Sequence, residues 1–172
     1  MGMEEEILKE STENAGEPFE KRVALTMAIL AASLAIVSVL GHMANTEEIL
    51  NQQKASDQWS YYQAKNIRRY ESEIARDILA ASKAPKADEY EKNFAKYQKD
   101  TEEIEKEAKG LEEESHLNGR QTFRYELGEV FLEIAIVLAS VAILSKRKAI
   151  WLGSIVVGAV GIVAALTVLT VH

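Results

Sequence analysis

Residues 23–43 read VALTMAILAASLAIVSVLGHM, 21 residues without an acid, a lysine or an arginine. Wound as a helix rising ~1.5 Å per residue, the stretch is about 30 Å long, the thickness of a bilayer's hydrocarbon core. A core helix of a soluble bundle keeps a polar face for water, and this one has none. It reads as a membrane-spanning helix. Its apolar part exceeds the h-region of a signal peptide, and MGMEEEILKE ahead of it lacks a basic n-region, so the helix is expected to stay attached as an anchor.

Two further stretches repeat the pattern. Residues 150–171, IWLGSIVVGAVGIVAALTVLTV, are equally free of charge, and residues 127–145 carry only Glu129 and Glu133 among 19 residues. The mean hydropathy of -0.14 averages these oily stretches with a highly charged middle and describes neither. The expected fold is all-α, with transmembrane helices at 21–44, 126–145 and 150–172. Lys21 and Arg22 precede the first, and Lys146, Arg147 and Lys148 fill a turn at 146–149. Three spans place both clusters on one side, which excess Lys and Arg mark as cytoplasmic. The acidic segment 1–20 is then inside, while residues 45–125 and His172 are outside, although Arg120 and Arg124 flank the second span on that side.

The middle segment has the composition of long exposed helices, rich in Glu, Lys, Ala and Gln. Pro85 disfavours helix at Ala84 and reads as a hairpin tip, leaving an outgoing arm of about 39 residues and a return arm of about 41. On the return arm Tyr90, Phe94, Tyr97, Thr101, Ile104, Ala108 and Leu111 step alternately by 4 and 3, a heptad seam. On the outgoing arm Trp59, Ile67, Tyr70, Ile74, Ile78 and Ala81 recur at helical spacing. An extramembrane antiparallel coiled-coil hairpin is the expectation, with a bend at Asn118-Gly119.

Three groups of residues are candidates for function. Small residues in a stripe let membrane helices approach closely; Ala28, Ala31 and Ala35 form one such stripe in the first span, and Ser154, Gly158, Gly161 and Ala165 another in the third. Glu126, Glu129 and Glu133 share one face of the second span. The first two suit a helix N-terminus at the interface, whereas an acid as deep as Glu133 costs a few kcal/mol and faces a partner or water. Glu129, Glu133, His42, Ser38, Thr167 and Thr170 are expected to form a polar layer in the outer leaflet. The third group, Asp57, Gln58, Trp59, Tyr61, Tyr62, Arg68 and Arg69, combines aromatics with arginine as interface cores do.

The absence of cysteine removes disulfides and thiolate metal sites. The histidines and scattered acids lack a ligand spacing, so no metal is expected. No phosphate loop, nucleophile elbow or triad pattern is present, and a formal charge of -7 without a basic patch speaks against nucleic acid. Neither an enzyme nor a cofactor is expected.

The stretch GHMANTEEILNQQKASDQWSYYQAKNIR, followed by a charged coiled coil, EIAIVLASVAILSKRKAIW and a glycine-rich last span, resembles the family catalogued as domain of unknown function 4337. The resemblance runs from about Val23 to the end and is specific at His42-Ala44-Asn45 and from Ser56-Asp57-Gln58-Trp59 to Lys65. It implies a bacterial inner-membrane protein with this three-span plan and brings no activity. A single His42, with Met43 beside it, departs from the paired histidines of the family's motif.

The leading expectation is a homo-oligomer in the lipid bilayer whose hairpin is an interaction or scaffolding module for a protein partner. The competing one is an oligomeric cation or proton channel lined by the outer-leaflet acids and a polar column of Asn45, Gln52, Ser56, Gln63 and Asn66.

Overall fold

The computed structural model describes residues 18–83 and 86–170, and all regular structure among them is helical. Helix α1 runs Pro18–Ala81, α2 Ala87–Ser145 and α3 Lys148–Leu166, and a short 3-10 helix, Thr167–Thr170, follows. Three helices are long and apolar enough to cross a membrane. The acidic segment before Pro18, the tip at Pro85 and His172 lie outside the described residues.

Pro18 can open α1 because the N–H it lacks has no partner in a first turn. From Met43 to Ala81 there is neither glycine nor proline, and the helix runs on from apolar to charged sequence without a break. It closes at Lys83, whose φ of 51° is left-handed and whose N–H bonds the Ala80 carbonyl at 3.1 Å. The turn between α2 and α3 repeats the device at Lys146, φ 51°. Arg147 is extended there, so α3 starts at Lys148, two residues earlier than expected.

The chain divides into two compact units, Met1–Ala44 with Arg120–His172, and Asn45–Gly119. In the first, Leu30, Val37, Leu132, Ala135 and Ala165 form the core, with Leu34, Tyr125, Ile136, Val157 and Ile162 packed on it. Glycine sets how closely its helices approach. A Cβ on Gly161 would stand 2.9 Å from the Gly128 carbonyl oxygen, and one on Gly128 would stand 2.9 Å from that of Gly161. A Cβ on Gly158 would run into the Leu30 side chain. Most of this unit's apolar surface points outward: only 17%, 28% and 28% of the three apolar windows are buried.

In the second unit the contacts between α1 and α2 pair late residues of one with early residues of the other. Ser115 Oγ donates to the Glu48 carbonyl at 3.1 Å, Trp59 Nε1 to Glu112 Oε1 at 2.8 Å, and Arg76 meets Glu91 at 3.2 Å. The turn signal at Asn118-Gly119 does not end the helix, since both residues lie within α2. Gly119 serves packing instead, because a Cβ there would meet the Glu48 carboxylate at 2.8 Å.

The outgoing arm requires a correction. Ile67, Tyr70, Ile74 and Ile78 are 59%, 51%, 60% and 63% exposed. Buried or half-buried are Ala55, Gln58, Tyr62, Lys65, Arg69, Ser72, Arg76 and Leu79. Register explains the difference. In the first unit α1 buries Val23, Met27, Leu30, Leu34, Val37, Gly41 and Ala44, in alternating steps of 4 and 3. Counted onward through an unbroken helix, the same alternation arrives at Ala55, Lys65 and Arg76, and the isoleucines fall on the opposite side.

Candidate functional site

The most elaborate set of side chains lies on the arms of the second unit. Lys65, on the inward side of α1, reaches Asp100 Oδ2 at 2.7 Å. It lies over the rings of Tyr61 and Tyr97, 5.4 and 5.5 Å from their centroids. The hydrogen bond from Lys65 is the first cause holding the Asp100 carboxyl below its ordinary value, and the same bond raises Lys65. Arg76 stands over Phe94 at 4.9 Å, between Asp77 and Glu91 at 2.8 and 3.2 Å. Trp59 meets Tyr62 edge to face at 5.5 Å, and Arg69 lies over Tyr70 at 4.6 Å. Planar guanidinium and indole groups suit such a seam, since each packs a flat face and directs its N–H groups outward.

Among the residues expected to form an interaction surface, Gln58, Trp59, Tyr62 and Arg69 are thus half-buried, while Asp57, Tyr61 and Arg68 are exposed. The Asn66 Oδ1 and Arg69 Nε atoms are buried without a hydrogen-bond partner among the described residues.

In the first unit the two small-residue stripes part company. Ser154, Gly158, Gly161 and Ala165 are buried within the chain, and Ala28, Ala31 and Ala35 are exposed. The residues expected to share a polar layer differ in exposure. Glu133, His42 and Thr170 are exposed, and Glu129, Ser38 and Thr167 half-buried. Thr167 and Thr170 donate to carbonyls three residues back, at 2.6 and 2.7 Å, and so satisfy themselves on their own helix. No hydrogen bond or ion pair joins the Glu133 side chain to another described residue. An apolar recess of about 300 Å³ opens beside Ser33, Val37, Leu40, Tyr125 and Val168. Among the described residues no group of three or more His, Asp and Glu could hold a metal ion.

The model of the family described as Domain of unknown function (DUF4337) matches residues 19–171. The chain belongs to that family. No curated protein and no solved structure matches it. The match to domain of unknown function 4337 takes in both units, so the polar seam and the glycine contacts all lie inside the family's domain.

Lys65, Asp100, Arg76 and Gly128 are the residues here that sequence reasoning missed. The signal for Lys65 and Arg76 was available, since 4-and-3 steps counted from Val23 land on both, whereas Asp100 lies on the other helix and beyond that count. Gly128, inside LGE, gave no signal of its own.

Proposed function

We propose that this is a non-enzymatic, self-associating integral membrane protein. Its first unit spans the bilayer three times, and residues 45–119 form an antiparallel coiled-coil hairpin in water that serves as an interaction or scaffolding module. Two spans free of charge and a third carrying only Glu129 and Glu133, all with most of their apolar surface turned outward, support the bilayer. With 29 charged residues among 75, the second unit belongs in water. We place the chain in a bacterial inner membrane, with the basic turn and the N-terminus cytoplasmic and the hairpin outside.

The observation that carries self-association is the apolar row of Ile67, Tyr70, Ile74 and Ile78, each more than half exposed on an otherwise charged arm. The arm turns its polar side inward and its apolar side to solvent, the reverse of what a lone hairpin needs. A neighbouring copy in the same bilayer runs parallel and brings an identical row to it. Mass measurement in nanodiscs is expected to show several copies per complex. A strict monomer overturns the reading, and Ile74→Lys is expected to reduce the copy number. Cysteine placed at Ala87 is expected to react with impermeant reagents on intact spheroplasts, and protection there reverses the topology.

One observation favours a second reading. Glu133 is exposed on an apolar helix, where a carboxylate demands water or a partner; in an oligomer it would line a cation or proton path. Liposome flux abolished by Glu133→Gln supports that channel, and absence of flux in the unaltered protein removes it.

A further inference from the structure

One end of the first unit gathers basic residues from two stretches far apart in the chain. Phe19, Glu20, Lys21 and Arg22 lie at the start of α1, Lys146 and Arg147 lie between α2 and α3, and Lys148 opens α3. Three contacts bring these distant stretches together. Lys146 Nζ is 3.8 Å from Glu20 Oε1. The Phe19 and Trp151 rings meet edge to face at 5.9 Å. Trp151 Nε1 donates to Thr26 Oγ1 at 3.1 Å, and that hydroxyl donates in turn to the Arg22 carbonyl at 2.9 Å.

Glu20 is the one acid within these two stretches, and it is engaged by Lys146. Lys21, Arg22, Arg147 and Lys148 are all exposed, and none is ion-paired with another described residue. Four like charges gathered in this way repel one another unless an anion joins them. The end of an apolar helix bundle is also where anionic headgroups are concentrated.

We propose that Lys21, Arg22, Arg147 and Lys148 form a binding site for the phosphate headgroup of an anionic phospholipid. The charge complementarity is specific in kind. Guanidinium forks on Arg22 and Arg147 match phosphate oxygens, and lysine ammonium groups reach the same plane from flexible stems. The Phe19–Trp151 pair supplies the amphipathic ring that lies at such a boundary. The lipid's chains continue along the apolar helices, which distinguishes this ligand from free phosphate. The proposal rests on the membrane reading above.

The full chain, reconstituted from detergent into nanodiscs of phosphatidylcholine with a minor fraction of phosphatidylglycerol, provides the test. Failure to insert into pure phosphatidylcholine would sink the membrane reading itself. Given insertion, mass spectrometry of the lipid retained on the protein is expected to show phosphatidylglycerol enriched several-fold over the bulk ratio, with the enrichment falling at high salt. Lys21→Gln, Arg22→Gln, Arg147→Gln and Lys148→Gln together are expected to return it to the bulk ratio, and either adjacent pair alone to remove part of it. The same charge change placed on the hairpin, at Arg68, Lys92, Lys96 and Lys99, is expected to leave enrichment intact. Enrichment that survives the fourfold change overturns the site. So does enrichment that appears only once Glu4, Glu5, Glu6, Glu10 and Glu13 are replaced by Gln, because the chain's own acidic segment would then be the occupant.

Discussion

The two units of this chain use one spacing with two chemistries. In the first, the inward positions of α1 hold Val23, Leu30 and Val37, and in the second they hold Lys65, Arg69 and Arg76. The spacing belongs to the helix and continues wherever the helix is unbroken. The chemistry belongs to the solvent. Where lipid lies outside, apolar side chains gain nothing by turning inward, and close backbone contact discriminates inside from outside. Where water lies outside, long cationic side chains can fill a seam by laying their stems along aromatic rings and delivering the charge to a carboxylate.

The largest expected effect tests the first half of that contrast. Gly161→Ala places a Cβ 2.9 Å from a backbone oxygen of α2, which cannot move aside without shifting the helix. Overpacking of this kind costs roughly 1–3 kcal/mol, and this site belongs at the upper end. Gly158→Ala clashes with the end of the Leu30 side chain, which can rotate away, and otherwise meets only side chains, the nearest being the Ala135 Cβ at 3.4 Å. Thermal unfolding in nanodiscs should therefore fall clearly for the first variant and slightly for the second. Equal losses would show that backbone approach does not set the packing.

Acid is the next lever, and in the second unit it acts through the Lys65–Asp100 pair. Asp100 is held below the usual carboxylate range by Lys65, so the pair's contribution is complete above about pH 3.9, the unfolded value. It is lost as pH falls through the depressed folded value. Lys65 is raised, so on the alkaline side its contribution persists to about 10.4 and disappears as pH rises through the folded value. Hydrogen exchange of the full chain, corrected for its intrinsic pH dependence, should show residues 45–119 loosening first in acid. Asp100→Asn should flatten that response and lower protection at neutral pH.

Much of the fold was legible because absence of charge over 21 residues has few explanations. The return-arm seam was legible too, since Ile104 and Ala108 are apolar and are also buried. The outgoing arm misled for the same reason in reverse. Periodicity locates an apolar face, not an inward one, and on that arm the two are opposite. In the three long apolar stretches periodicity loses its contrast altogether, so Ala28, Ala31 and Ala35, which face outward, looked the same as Gly158 and Gly161, which face inward. Nor could sequence separate Glu129, half-buried, from Glu133, exposed one turn later.

Two glycines extend the comparison to the backbone. Gly110 and Gly153 are both helical, and a Cβ at either would meet nothing within 4 Å. Gly110→Ala should stabilise the water-exposed unit by about 0.5–1 kcal/mol, since glycine loses the most freedom on entering a helix. Gly153→Ala should change almost nothing. In lipid the chain must be helical before the helices pack as well as after, so the freedom saved in water is already lost. A full gain at Gly153 would argue that its helix forms only on packing.

The smallest effects concern the two turns, which share a lysine in the left-handed region, at Lys83 and Lys146. An L-residue there is strained by about 1–2 kcal/mol, and glycine relieves the strain while adding about 0.5–1 kcal/mol of backbone entropy to the unfolded chain. Lys83→Gly should thus be stabilising by a few tenths of a kcal/mol up to about 1 kcal/mol. Lys146→Gly has the same backbone gain but deletes the ammonium that meets Glu20 at 3.8 Å. The pair is partly exposed, 60% and 35%, so it is worth little in water; what it does is hold the two basic stretches side by side. Lys146→Gly should therefore raise the unfolding temperature by no more than Lys83→Gly does while weakening retention of anionic lipid, a loss that Lys83→Gly should not show.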